Sequence, residues 1–247
     1  MTRLRTRSVR DGGDIRAFFD GIADEYCESH GNAAALLEHR LALIRRLLAP
    51  VAGGTLLEIG CGTGTHLFAL AGRFGRVIGT DLSPRMIEAA ERIRLSHPCA
   101  ARIELHVAPA ETPARIEDDT ADAVLCVGAF EHMTDKPAVL AEVRRVLRPG
   151  GRLACLTLNG GSLWYRRIAP WLGYETRHLT SDRLVEAAEM RSLLEAAGLQ
   201  IEECGYWRFI ARGDMPAWVA HSLHGLDHLG RVCLPAQCRG GLYACAA

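Results

Sequence analysis

The stretch Leu56-Leu57-Glu58-Ile59-Gly60-Cys61-Gly62-Thr63-Gly64 sets three glycines and one acid in and behind a short apolar run. Glycines at a strand-to-helix turn let the backbone bend sharply and approach a ligand with no β-carbon in the way. Asp81 ends the next apolar run, 21 residues after Gly60, where a carboxylate can accept both hydroxyls of an adenosine ribose. Together they read as a nucleotide site. Two details set it apart from a nicotinamide or flavin site. The pattern G-x-G-x-x-G needs glycine at 65, but this chain has Thr65 and its third glycine one place earlier. Glu58 also stands where dinucleotide binders normally carry an apolar strand residue.

Other side chains could act beside such a site. Glu131-His132 follow the apolar run Ala123–Val127, and an imidazole there can serve as a base near pH 7. Trp164, Tyr165, Trp171 and Tyr174 crowd a segment that is otherwise rich in polar residues. Their bulk suits either a core or an apolar acceptor pocket. His221, His224 and His228 share a helical face at i, i+3 and i+7. Trp218, Leu223, Leu226 and Leu229 make that stretch an amphipathic cover helix, so no metal site is expected there. Nine cysteines lie scattered with no CxxC, the pattern of free buried thiols in a reducing compartment.

The elements that must position these residues follow from periodicity. Helices are predicted over Asp14 to Ser29 and Ala33 to Ala49, the latter stopped by Pro50 and Gly53-Gly54. Strands over Leu56–Ile59, Arg76–Thr80, Ile103–Val107, Ala123–Val127 and Leu153–Leu158 are apolar nearly throughout. Amphipathic helices alternate with them, which argues for a doubly wound, mostly parallel α/β sheet with helices on both faces. A helix at Met190 to Ala197 and strands near 200–209 and 242–246 complete the chain.

Length and charge narrow the function classes. At 247 residues, 49% hydrophobic and 23% charged, the chain suits one α/β domain. Residues 1–13 are read as a flexible basic tail, and residues 14–247 as a single domain. Within it, 14–49 form N-terminal cover helices, and 160–188 with 213–231 form acceptor-side insertions. Twenty-nine Lys+Arg balance 29 Asp+Glu, so nothing across the sequence marks a nucleic-acid binder. No apolar run reaches a membrane span and no secretory signal is evident, so a cytoplasmic protein is expected.

LLEIGCGTG, the D81-L-S-P-x-M run, the strand DAVLCVGAFEHM and the turn LRPGGRL together resemble the class I S-adenosylmethionine-dependent methyltransferases. Within them the likeness is to the small-molecule, quinone-biosynthesis-like group. It implies a seven-stranded sheet in the order 3-2-1-4-5-7-6 with the last strand antiparallel. It also implies S-adenosyl-L-methionine as cofactor, S-adenosyl-L-homocysteine as product, and a small-molecule acceptor with an O-, N- or C-nucleophile. By the same resemblance Gly60, Cys61, Gly62 and Gly64 would line the methionine moiety, with Glu58 orienting the loop. Asp81 would hold the ribose and Leu82 and Met86 would pack on adenine, with Ala110 and Glu111 at its edge. Val127 and Gly128 would close the methionine end, and Tyr26 would lie in a covering helix. Many relatives carry an aspartate after the third strand to hold the adenine amino group; here Pro109 stands in its place.

The sulfonium of this cofactor is already an activated electrophile, so a base is needed only for an acceptor that stays protonated at pH 7. His132 is the candidate base and Glu131 its neighbour. His30, Trp164, Tyr165, Trp171, Tyr174 and His178 are candidate acceptor residues. The alternatives are an NAD(P)-dependent Rossmann oxidoreductase or epimerase, and a non-catalytic protein that binds S-adenosylmethionine.

Overall fold

A computed structural model describes residues 6–24, 26, 33–112, 116–173, 177–210 and 224–247. His30, Tyr174 and His221 lie outside the described residues, as does the side chain of His224. The chain forms α1 (Gly12–Ile22), α2 (Ala33–Leu47), β1 (Gly53–Ile59), α3 (Thr65–Leu70), β2 (Phe74–Asp81), α4 (Pro84–Arg94), β3 (Ile103–Val107) and β4 (Ala121–Val127). It continues with α5 (Lys136–Val146), β5 (Leu147–Leu158), α6 (Ala187–Ala196), β6 (Ile201–Trp207), α7 (His224–Cys233) and β7 (Gly241–Ala246). The sheet order is β3-β2-β1-β4-β5-β7-β6. β1 to β5 pair in parallel, and β7 runs antiparallel to both β5 and β6. This is the doubly wound sheet expected from the sequence.

Alternation along the central strands splits the core in two. Leu57, Val124 and Leu153 face α5 and α6, while Leu56, Leu125 and Ala154 face α2 and α3. Both faces are covered, so the strands read as continuous apolar runs. Helix starts are set by side chains that satisfy the first free amides. Ser83 Oγ accepts from the Met86 amide at 3.1 Å, and Asp135 Oδ1 from the Ala138 amide at 3.0 Å. Among the described residues no helix is long and apolar enough to cross a membrane.

The amino-terminal part departs from the tail expected over residues 1–13. Asp11 caps α1 by accepting from the amides of Gly13 and Asp14 at 2.8 and 3.1 Å, so the helix begins at Gly12. Ahead of it, Arg7 forms a parallel bridge with Leu179, its amide donating to the His178 carbonyl at 2.9 Å. Residues 6–9 are therefore strapped to the 177–180 segment. Backbone pairing of this kind leaves no mark in residue type, and so the tail's charge misleads.

The segment after β5 also differs in detail. Residues Trp164–Ile168 form a π-helical turn that continues into a helical turn at Ala169–Trp171. Trp164 and Tyr165 are buried against Phe209 and Ile210, and Trp171 is 84% exposed. The two buried aromatics thus glue this segment to the residues after β6.

Candidate active site

The site grows from the ends of β1 and β2. Gly60 and Gly64 adopt φ of +66° and +82°, a region that L side chains rarely enter. A β-carbon on Gly60 would lie 2.5 Å from that of Ala129, and one on Gly64 would lie 2.4 Å from the Phe68 ring. Both positions therefore require glycine. The turn is tied to β2 by Cys61, whose amide donates to the Thr80 carbonyl at 3.0 Å. Asp81 holds both sides of the cleft: Oδ2 accepts from the Gly62 amide at 2.8 Å and Oδ1 from the Ser83 amide at 2.9 Å. Burial pushes its carboxyl up, against the pull of those two amides.

Behind the turn, Glu58 is 1% exposed, and His66 Nδ1 lies 3.5 Å from its Oε1. Burial raises the Glu58 carboxyl, opposed by His66 and the Leu67 backbone. Glu58 Oε2 and His66 Nε2 are buried without a hydrogen-bond partner among the described residues. Buried polar atoms are rarely left so, and the pair offers an acceptor and a ring nitrogen to a ligand at the loop. The amides of the glycine turn, the Asp81 carboxylate and these two atoms suit a ribose and a zwitterionic amino-acid end, so the residues fit S-adenosylmethionine.

The rest of the predicted cofactor set falls around this cleft unevenly. The Tyr26 ring approaches Gly62, with Cε1 3.6 Å from where a β-carbon there would stand. Leu82 packs with Phe18 and Ile15 of α1, and Met86 is buried beneath. Ala110 packs on the core cluster that holds Ile78 and Ile116, and Glu111 follows it, half-buried. Val127 is buried, and the Gly128 amide donates to the Leu156 carbonyl at 2.8 Å, closing the end of β4.

Past β4 the chain makes a tight turn over Phe130–His132. Its two polar residues part company. Glu131 is buried, its Oε2 accepting from Thr157 Oγ1 at 2.7 Å, while its carbonyl accepts from the Arg183 amide at 2.9 Å. That makes it a brace between β5 and the later loop rather than a partner of His132. His132 Nδ1 instead meets Asp182 Oδ1 at 2.6 Å. The other oxygen of Asp182 accepts from the amides of His178 and Leu179 at 2.8 and 2.9 Å. Burial opposes charge on Asp182, but the hydrogen bond and field of His132 and those two amides outweigh it, holding the carboxyl below its usual range. Phe19 stands edge-on to the His132 ring at 5.2 Å, and the His178 ring lies 5.8 Å away. Phe18 is 5.9 Å from His178.

Sequence reasoning found His132 and His178 but missed Asp182, Phe18 and Phe19 as their neighbours. Asp182 lies 50 residues from His132 in a loop with no motif, and the backbone strap of residues 6–9 onto 177–180 beside it leaves no mark in residue type. His66 carried a signal, since it stands in the first turn of the helix after the glycines, one turn from Glu58's strand.

Residues 57–155 match the methyltransferase domain family. The chain is 31% identical over 160 residues to the ubiquinone biosynthesis O-methyltransferase of Thiobacillus denitrificans, covering 63% of this chain and 68% of that protein. It is 28% identical to an O-methyltransferase of Pyrenophora dematioidea over 91% of this chain and 90% of that one. The solved structure of Haemonchus contortus phosphoethanolamine N-methyltransferase 2 with S-adenosyl-L-methionine superposes with a TM-score of 0.68 at 19% identity, covering 97% of this chain and 60% of that one. That last likeness speaks for the fold. The glycine turn, the Asp81 clasp, the strand order and these relatives together place the chain in the class I S-adenosylmethionine-dependent methyltransferases of small-molecule type.

Proposed function

We propose that this enzyme methylates a hydroxyl oxygen on a small organic acceptor, with His132 as the base. The single observation that carries this reading is the 2.6 Å contact between His132 and Asp182 on the loop after β4. An imidazole held by a buried carboxylate has its Nδ1 proton fixed toward that oxygen, which leaves Nε2 to accept a proton. A hydroxyl needs such an acceptor at pH 7, whereas a free amine or an ionised thiol does not. The O-methyltransferase names of two relatives agree with an oxygen acceptor.

When bound, the cofactor supplies a methyl carbon already activated by its sulfonium. The residues of this chain do the rest. In this reading Gly60, Cys61, Gly62 and Gly64 cradle the methionine end, Glu58 and His66 meet its charged groups, and Asp81 takes the ribose hydroxyls. Leu82, Met86, Ala110 and Glu111 bound the adenine, and Val127, Gly128 and Tyr26 close the cleft. Phe19, Phe18 and His178 hold the acceptor against His132 and keep water out. His132 Nε2 would take the hydroxyl proton as the acceptor oxygen is methylated, and later release that proton to solvent.

The test is a panel of substituted phenols and catechols with labelled cofactor, run on the wild type and His132→Ala. Loss of a general base costs about 10²–10⁴-fold in kcat, and the loss should shrink for nitro-substituted acceptors that ionise unaided. A variant as fast as the wild type on every acceptor would remove His132 from the mechanism.

A further inference from the structure

Away from the cofactor cleft, basic side chains from four parts of the chain converge where β6 ends. Register fixes the place: Gly241 of β7 pairs with both Leu158 of β5 and Trp207 of β6. The end of β6 therefore lies at the same sheet edge as the carboxyl ends of the parallel strands, the edge where ligands bind in open α/β sheets. Arg208 follows at once, with φ of +41°, a costly conformation for a bulky residue and one that tends to persist at functional positions. Its Nη2 lies 3.1 Å from Asp227 Oδ2, and Arg231 Nε lies 3.7 Å from the same oxygen. Arg239 donates from Nη2 to the Arg231 carbonyl at 3.2 Å. From α2, Arg40 sits 5.5 Å over the Trp207 ring, and His39 stacks on that ring at 5.8 Å and 29°.

Two guanidinium groups, those of Arg208 and Arg231, thus share one carboxylate, Asp227, which also accepts from the Ile210 amide at 2.8 Å, and Arg239 is tied to Arg231 beside them. The Nε atoms of Arg208, Arg231 and Arg239 are buried with no hydrogen-bond partner among the described residues. The crowding is felt at His39, whose imidazole is pulled down by burial and then by Arg208 and Arg231. If the cluster served only to pin α7 to β6, Asp227 with Arg208 would suffice. Arg231 and Arg239 would then bury their Nε donors without a hydrogen bond.

We propose that this cluster is an anion site for a phosphate group. A phosphate offers several oxygens with spread negative charge, which suits planar guanidinium forks arriving from different elements. The group would be carried by the methyl acceptor, in which case the assignment rests on the transferase reading above, or it would be free in solution.

Calorimetric titration of the full chain with inorganic phosphate and with phenyl phosphate, in chloride buffer of fixed ionic strength, tests it. Arg239→Gln and Arg40→Gln are titrated alongside, with thermal unfolding as the folding control and S-adenosylhomocysteine as a separate probe of the cofactor cleft. Saturable phosphate binding is expected in the wild type, weakened about tenfold or more in each variant, with S-adenosylhomocysteine affinity unchanged. Phenyl phosphate binding more tightly than phosphate assigns the group to the acceptor; the reverse order assigns a free anion. No saturable binding of either probe, or equal binding in the wild type and both variants, overturns the proposal. Loss of S-adenosylhomocysteine binding with phosphate binding intact would count against the transferase reading and leave this site standing.

Discussion

Replacing Asp182 by asparagine keeps the side chain's shape but removes the charge beside His132. The amide can also present its NH2 to Nδ1, which favours the wrong tautomer. Asp182→Asn is therefore expected to lower kcat by roughly tenfold or more while leaving S-adenosylhomocysteine affinity unchanged. Steady-state kinetics with parallel calorimetry separates the two, and an unchanged kcat would sink the positioning role. The carboxyl is depressed in the fold, so its stabilisation is present above about pH 4, the unfolded value, and is lost as pH falls through the lower folded value. The stability gap between wild type and variant should then hold from neutral pH down to about 4 and close below it, as urea midpoints across pH will read. Glu58 runs the other way. Its carboxyl is raised by burial, so keeping it ionised costs stability at pH values above its folded pKa, a cost relieved as pH falls toward the unfolded value near about 4.3. Glu58→Gln should accordingly melt higher at neutral to alkaline pH, by about 2–4 °C for each kcal/mol relieved, and bind S-adenosylhomocysteine less well. A variant that melts lower and binds as well as wild type would refute both halves.

At the scale of elements, α1 spans both halves of the site. Asp20 accepts from Ser83 Oγ at 2.6 Å and from the Arg85 amide at 3.3 Å, next to the Asp81 clasp. One residue before it, Phe19 stands against His132. Cutting the Asp20 link should free the helix without disturbing the sheet. A hydrogen bond to a charged group contributes about 1.5–3 kcal/mol, so Asp20→Ala should speed amide exchange over residues 12–22 by about tenfold or more. Exchange in β1 and β4 should stay as slow as in the wild type, and mass spectrometry of peptides from both regions checks it. The existence of α1 was legible from Ile15, Phe18 and Ile22 on one side. Its start was not, because Gly12 and Gly13 look like chain breakers until Asp11 is seen to satisfy the amides of Gly13 and Asp14. The β-strands were legible for the opposite reason: burial on both faces makes Leu56–Ile59 and Ala123–Val127 apolar nearly throughout, and short-range pattern alone finds them. The aromatics at 164 and 165 show where pattern stops. Burial of Trp164 against Phe209 joins residues 45 apart in sequence, and composition cannot tell such a contact from a pocket wall.

For the whole molecule, the sheet order followed from the family resemblance that the glycine turn helps to carry, and the order 3-2-1-4-5-7-6 puts β1 and β4 at the centre, where the chain reverses its direction of winding. A crevice opens outside the strand ends at such a point, and Gly60 and Ala129 face each other across it. A ligand there touches loops from both halves of the sheet, so its binding energy should reach the global stability and not only a local loop. S-adenosylhomocysteine at about 100 times its Kd should add roughly 2.7 kcal/mol. For a chain of this length that is a rise in melting temperature of roughly 5–11 °C. NAD should give no rise, since Thr65 stands where its phosphate turn needs a third glycine and Glu58 adds a buried negative charge beneath the loop. Asp81→Ala should cut the S-adenosylhomocysteine shift sharply, because it removes a charged acceptor for the ribose and unties Gly62 from Ser83 at once. Differential scanning fluorimetry with the two ligands on both proteins decides it. A rise with NAD equal to that with S-adenosylhomocysteine, or a full shift retained in Asp81→Ala, would mean that the cleft does not hold its ligand in the way the geometry indicates.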